Sequence, residues 1–226
     1  MTYLEAVNGV LRRLREATVA SVAESDYSTL IGDFVNDARD YVEGRFEWVG
    51  LDDALTITTS NGTANYIVDG AGEGGVVTQL LNVTSDAIIT EMDIEKIRKE
   101  QSVNPTVGTP TRYAYDTVAS DLDPTIVLYP TPDAAYTLTA HVDKTGVSLT
   151  NDTDVLAIPS NPVVQMAYAL ALSERGETGG TTSAQQLALA EIYISTAIMN
   201  DAAKRPESLL WDEEGRVAVR TNLGNT

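Results

Sequence analysis

The sequence predicts an α+β fold. Helices from both ends of the chain form one bundle, a mainly antiparallel β lobe is inserted between them, and an extended C-terminal tail follows. Two observations predict it. Apolar residues recur at helical spacing near both termini, whereas the middle of the chain alternates as strands do. Neither helix pair can bury its apolar face alone, so we expect the pairs to share a core. The predicted domains are residues 1–50 with 157–205 for the helical bundle, 51–156 for an inserted, mainly antiparallel β lobe, and 206–226 for an extended C-terminal arm.

Two amphipathic helices are predicted in the N-terminal block. The first carries an apolar stripe from Leu4 to Leu14, with its arginines largely outside that stripe. The second begins near Ser28 and ends between Trp48 and Gly50, because glycine supplies a helix end signal there. Its aspartates lie off the apolar stripe, which predicts one buried and one solvated face. That second stripe comprises Leu30, Ile31, Phe34, Val35, Ala38, Tyr41, Val42 and Phe46.

Alternating apolar residues predict β-strands in the middle block, and turn residues predict how the strands connect. The glycine-rich segment around Gly72 is predicted to be the tip of one hairpin, and Pro130–Asp133 the turn of another. A short helix, from about Asp93 to Gln101, interrupts the strands. The predicted strands are residues 55–58, 65–68, 76–81, 125–129 and 136–142.

Two further helices are predicted in the last block. Pro159 stands where the start of a helix tolerates proline, and a broad apolar face follows it. The segment from Gly176 to Thr181 breaks the chain, and the last helix runs from about Ser183 to Lys204 before Pro206. The apolar residues of this last helix are Leu187, Leu189, Ala190, Ile192, Tyr193, Ile194, Ala197 and Ile198.

Composition limits the function classes. The chain has 33 acidic and 15 basic residues, a net charge of −18, and a groove that grips DNA would be basic. The acidity is explained by solubility, or by a surface that DNA must pass without adhering, and the two explanations stay open. The absence of cysteine excludes disulfides and thiolate metal sites. The sequence shows neither a signal peptide nor a membrane-spanning run, so we expect a protein that is made and kept in cytosol-like conditions.

The sequence predicts no enzyme. Gly70, Gly72 and Gly75 match the letters of a dinucleotide-binding loop, but a strand follows them where that site needs a helix. His141 is the only histidine and is predicted to be a surface residue of a strand. The chain lacks the G-x-S-x-G turn that would offer His141 a serine nucleophile. We therefore predict no catalytic residue and no cofactor.

Two small acidic clusters in loops are predicted to form turns rather than metal sites. One contains Asn151, Asp152 and Asp154, and the other contains Asp121 and Asp123. Neither supplies the six to eight oxygen ligands that calcium takes. Asx side chains commonly bond the backbone of their own turn, which explains both clusters without a metal.

The C-terminal arm is the predicted partner-binding segment. A disordered tail would be poorer in tryptophan and leucine. The arm either packs back on its own subunit or docks on a partner, for example by adding a strand from Arg216 to Arg220, and both alternatives stay open. The candidate contact residues are Leu209, Leu210, Trp211, Arg216, Val217, Val219 and Arg220.

Three segments, taken in order, resemble the head-to-tail adaptor family of tailed bacteriophages, including the tail tubular protein A type of short-tailed phages. The first is the second helix and its exit, residues 30–48. The second combines Gly108–Tyr113 with Ile126–Asp133 and Tyr136–Leu138. The third begins near Ile158 and carries Ala167–Ala171. Together they span most of the chain, and none of them is a catalytic signature.

The resemblance implies a virion protein at the head-to-tail junction. It implies a ring, commonly of twelve copies, that joins the portal protein to a tail or nozzle protein and leaves a channel for DNA. It also implies that the arm reaches toward the portal. Two alternatives stay open: another neck, stopper or tail-completion protein, or a β-lobed module that binds a glycan or host surface. The spread of the ten tyrosines over helices and strands disfavours the second alternative.

Overall fold

A computed structural model describes residues 1–119, 122–176 and 181–204, together with the backbone of two short strands in the C-terminal arm. Its described part combines five α-helices with a seven-stranded sheet, so the predicted α+β class is confirmed. The helices are α1 (Tyr3–Arg13), α2 (Asp26–Glu43), α3 (Ile94–Val103), α4 (Ser160–Arg175) and α5 (Thr181–Ala202).

The first two helices begin at polar caps that the sequence specifies. Thr2 and Glu5 form a capping box at α1, in which each side chain bonds the backbone of the other residue. Ser25 accepts the N–H of Ser28, so α2 begins at Asp26 rather than near Ser28. The predicted end of α2 is also wrong, because the helix stops before Gly44 instead of continuing to Trp48.

The helical core is built around α4, which packs on α1, α2 and α5. Trp48, beyond the end of α2, is the largest fully buried side chain, and its indole N–H donates to the Val42 carbonyl at 2.9 Å. The core thus draws on both ends of the chain. Its most buried members include Val7, Val10, Ile31, Val35, Ala38, Val42, Val163, Ala167, Ala190 and Ile194.

The seven strands lie in the order β1-β7-β3-β4-β5-β6-β2. All pairs are antiparallel except β4 with β5, which α3 separates in the chain, as a parallel pair requires a crossover. The strands are β1 (Asp52–Thr58), β2 (Asn65–Ile67), β3 (Val76–Asn82), β4 (Ala87–Glu91), β5 (Arg112–Val118), β6 (Pro124–Tyr129) and β7 (Thr137–Asp143).

The sheet curls on itself, because its two edge strands are consecutive in the chain. Flat strands about 4.8 Å apart would separate β1 from β2 by about 29 Å. The loop 59–64 that joins them spans at most about 25 Å when fully extended. Hydrogen bonds hold this loop against the β6–β7 connection: Thr59 N–H donates to Tyr136 O and Gly62 N–H to Pro132 O, both at 2.9 Å. The curl encloses a second core.

Both predicted hairpins are wrong, although the strands themselves form. β6 does not pair with β7: β6 lies between β5 and β2, and β7 lies between β1 and β3. β2 and β3 are likewise separated. The reason is burial. Five consecutive residues of β6, Pro124–Leu128, are buried, so this strand needs cover on both faces and neighbours on both edges. The second core contains Ile57, Val68, Leu80, Ile89, Tyr113, Ile126, Leu128, Leu138, Ala140 and Val142.

Candidate assembly surfaces

Helix α2 holds the segment that leaves the sheet, residues 144–150. Asn36 donates to Leu149 O at 3.1 Å and accepts Leu149 N–H at 2.9 Å. Arg39 donates to Val147 O, and Glu43 accepts Gly146 N–H at 3.2 Å. One face of a helix therefore supplies the hydrogen bonds that a neighbouring strand would otherwise supply.

The contact between α2 and this segment contains a buried charge pair. Arg39 Nε lies 3.7 Å from Glu43 Oε1, and both side chains are less than a tenth exposed. Burial raises the pKa of Glu43, an effect opposed by Arg39 and by the Gly146 N–H. A cleft of about 610 Å³ opens beside the pair, with Phe46, Trp48 and Lys144 in its wall. It is a junction between helices and sheet, in which Arg39 pairs with Glu43 and Lys144 with Asp53.

The two chain segments that join sheet and helices run side by side. Gly50 lies so close to Ala157 that a Cβ atom at position 50 would stand 2.1 Å from the Ala157 carbonyl oxygen. Real side chains do not approach that closely, so glycine is required for this crossing.

The glycine-rich loop serves an internal carboxylate. Asp123 is 5% exposed and accepts the N–H groups of Gly70 and Gly72 at 2.8 and 2.6 Å. The donors that would face a pyrophosphate in a dinucleotide site are thus occupied by the protein's own anion. The loop runs on into strand β3, as the sequence predicted.

The acidic loop clusters behave differently from one another. Asp154 accepts the N–H groups of Asn151 and Thr150, which lower its pKa, and this is the predicted turn chemistry. Asp123 and Asp152 depart from that prediction, because both bond backbone N–H groups far away in the chain. Asp123 binds Gly70 and Gly72, as described above, and Asp152 accepts the N–H of Val22 at 2.9 Å. Asp121 lies outside the described residues. Within the described ranges, no group of three or more acidic or histidine side chains is arranged to hold a metal ion.

Helix α5 has a buried and an uncovered apolar face. Ala190 and Ile194 are buried against α4, whereas Ile192 is 63% and Met199 68% exposed. Only two charged residues lie in α5: Glu191, bound by Arg45 at 2.8 Å, and buried Asp201. The exposed face carries these apolar side chains among the polar ones of Gln185, Ser195, Thr196 and Asn200. None of the described helices has the length and apolar character needed to cross a membrane.

The predicted contact residues of the arm are only partly described. Leu210 and Trp211 form a short strand, β8 (Leu210–Trp211), which pairs antiparallel with β9 (Val217–Ala218). Leu209, Arg216, Val219 and Arg220 lie outside the described residues. The role of the arm in partner binding stays a prediction.

The α5 face could not be separated from core residues by sequence reasoning, because its leucines and isoleucines have the same spacing as buried ones. One sequence feature could have indicated this face: in so acidic a chain, the 22 residues of α5 are almost without charge.

Comparison with known proteins identifies the family. The family model described as "SU10 adaptor protein" matches residues 1–212, which include all five helices and the seven-stranded sheet. No curated protein matches the chain. The narrower likeness to the tail tubular protein A type stays a prediction, whereas the predicted likeness to phage head-to-tail adaptors is confirmed: the chain belongs to the SU10 adaptor protein family.

Proposed function

We propose that this protein is a virion structural component that assembles into a ring, of twelve copies, between the portal and a tail or nozzle protein. The family match over residues 1–212 carries this proposal, because it covers the helices and the sheet together. DNA passes through the channel of the ring without specific binding. The excess of 33 acidic over 15 basic residues supports that part, since a DNA-gripping wall would be basic. The role is structural rather than catalytic.

The finer architecture is part of the same proposal. Residues 1–50 and 157–205 act as one helical bundle, and residues 51–156 act as an inserted β lobe. Support comes from the two cores, since one draws on helices from both ends of the chain and the other on the sheet alone. The arm, residues 206–226, reaches the portal through the candidate residues from Leu209 to Arg220.

The uncovered face of α5 supports assembly. Soluble monomers rarely expose large contiguous apolar surfaces, and such surfaces commonly mark contacts with other proteins. Three large apolar side chains on one side of α5, Leu189, Ile192 and Met199, are more than two-fifths exposed, and Leu187, exposed to a similar degree, lies on another side of the helix.

Electron microscopy of the purified protein mixed with the portal protein of the same phage tests the proposal. We expect rings seated on the portal. A variant that ends at Arg205 is expected to keep its fold, as shown by circular dichroism, and to bind the portal more weakly. A full-length protein that stays monomeric and ignores the portal would overturn the proposed function. Unfolding of the truncated variant would contradict the role given to the arm.

A further inference from the structure

A cationic cleft lies between α3 and the sheet of this acidic protein. We use that name for Lys96, Lys99 and Arg112, which line a cavity of about 500 Å³ together with Tyr129. Lys96 and Lys99 are one helical turn apart, and both are exposed. Arg112 is held at the start of β5 by a 2.8 Å hydrogen bond to Thr90 Oγ1. The sheet fixes the position of α3, because Ile97 is fully buried against Ala114 and Val127.

The charges of the cleft are not neutralised within the described part of the chain. Arg98, on the same helix, is paired with both Glu95 and Asp116, at 2.9 and 2.8 Å. By contrast, no ion pair among the described residues involves Lys96, Lys99 or Arg112. Glu100 adds one carboxylate to the cavity wall, where it accepts from Asn104, so the cleft holds three cationic groups against one anionic group and stays positive.

The same chain carries a complementary acidic stripe on α2, formed by Asp26, Asp33, Asp37 and Asp40. Their spacing of seven, four and three residues places all four on one exposed face, over about 21 Å of helix. Asp40 is bound by Arg39, and no ion pair in the described ranges involves the other three. Like charges one turn apart destabilise a helix. A partner that neutralises the stripe would remove that cost.

We propose that neighbouring copies of this protein contact each other head to tail, with the cationic cleft of one copy against the acidic stripe of the next. The inference rests on the proposed function, assembly into a ring, and assigns its subunit contact. The two surfaces belong to different elements, α3 against the sheet and α2 of the helical core, so one copy can offer its cleft to one neighbour and its stripe to another, as in a heterologous contact. Heterologous contacts produce rings when the rotation between copies closes.

Charge favours a second copy over DNA as the occupant. Among the described helices, α2 aligns several carboxylates without ion-pair partners on one face. Asp33 and Asp37 lie one helical turn apart, which matches the spacing of Lys96 and Lys99 on α3. DNA would meet only three cationic groups in the cleft, on a chain of net charge −18. Few phosphate contacts give weak binding that salt removes readily.

Charge reversal tests the contact by sedimentation velocity of the full-length chain at low and high ionic strength. The wild type is expected to associate at low salt and to shift toward monomer at high salt. Lys96→Glu with Lys99→Glu should stay monomeric at both, as should Asp33→Lys with Asp37→Lys. Arg12→Glu with Arg15→Glu, the same charge change on two exposed arginines away from the cleft, should associate as the wild type does.

Mixing gives the decisive result. The two reversed variants together, or all four substitutions in one chain, should recover assembly because opposite charges face each other again. Association of the lysine variant at the wild-type level, failure of the mixture to recover, or a wild type that never associates would overturn the contact. The contact would also be overturned if the lysine variant lost binding to a duplex oligonucleotide but still associated with itself. That result would assign the cleft to DNA. Portal-bound rings formed by the lysine variant would refute this contact while leaving the proposed function standing.

Discussion

The helical core and the curled sheet are stabilised over different sequence distances. In the helical core, each helix is specified by its own periodicity, and α1 and α2 also by their caps, while distant helices meet mainly through apolar faces. In the sheet, every strand depends on partners elsewhere in the chain: β1 and β3 both pair with β7. The comparison teaches that local pattern determines where helices and strands form, while sheet order is decided by which strands need cover on both faces.

The polar contacts show the same difference at the helix starts, although the ion pairs Arg45–Glu191 and Arg175–Glu16 also join distant parts of the helical core. Helix caps join residues three apart, as Thr2 and Glu5 do. The sheet is fixed by bonds over long sequence distance, as when Asp123 binds the loop at Gly70 and Gly72. We therefore expect removal of apolar volume to damage the helical core most, and loss of a single charge to damage the sheet most.

The largest effect is expected for Trp48→Ala in the helical core. The change leaves a cavity and removes the bond to Val42 O, so the free energy of unfolding should fall by about 3–5 kcal/mol. Urea unfolding followed by circular dichroism measures it. Met199→Ala, on the exposed face of α5, is the control and should change stability by less than about 0.5 kcal/mol. Equal losses in both variants would show that Trp48 is not central to the core.

A smaller effect is expected for Asp123→Asn in the sheet. The substitution keeps an acceptor for only one of the two backbone N–H groups, because the amide nitrogen of asparagine is itself a donor and faces the other; charge-assisted bonds of this kind are worth about 1.5–3 kcal/mol each. Unfolding free energy should fall by about 2 kcal/mol. Amide hydrogen exchange should quicken at Gly70 and Gly72 more than in α1. Glu91→Gln, at an exposed position of β4, is the matched control; unchanged exchange in the Asp123 variant would contradict the anchoring role.

The smallest effect is a pair of opposite pH dependences. Burial raises the pKa of Glu43, so its stabilising contribution is present below the unfolded pKa and lost as pH rises through the folded one. Glu43→Gln should therefore gain stability relative to wild type as pH rises. The hydrogen bond from Lys144 lowers the pKa of Asp53, so its contribution is present above the unfolded pKa and lost on acidification.

Asp53→Asn should accordingly be less stable than wild type at neutral pH, with the difference closing in acid. Urea midpoints measured across the acidic and neutral range give both curves. Parallel curves for the two variants would contradict the opposite signs. Because Asp53 is half exposed, salt should weaken its effect more than that of Glu43.

Much of the fold was predictable from local signals. The short helix α3 was predicted within two residues, since Asp93 caps it and Ile97 marks its buried face. The partners of the strands were not predictable. Pro130–Asp133 has the composition of a hairpin turn, but the requirement for cover on both faces of β6 outweighs turn chemistry.

The candidate surfaces were less predictable still. Exposed Ile192 and buried Ile194 lie two residues apart on the same helix, and only the position of α4 decides which of them is covered. Likewise, Lys96 and Arg112 are separated by 16 positions, and the packing of α3 on β5 brings them to one cavity. The arm was recognised from its composition, which says nothing of its partner.

The close crossing at Gly50 and Ala157 has a consequence for how such a chain can change. The chain leaves for the sheet just after Gly50 and returns to the helices just after Ala157, so the two ends of the intervening segment touch. Insertions whose ends meet are readily exchanged or lost. Any replacement of the intervening segment must therefore keep glycine at position 50, and must also restore the hydrogen bonds that residues 144–156 make with α1 and α2.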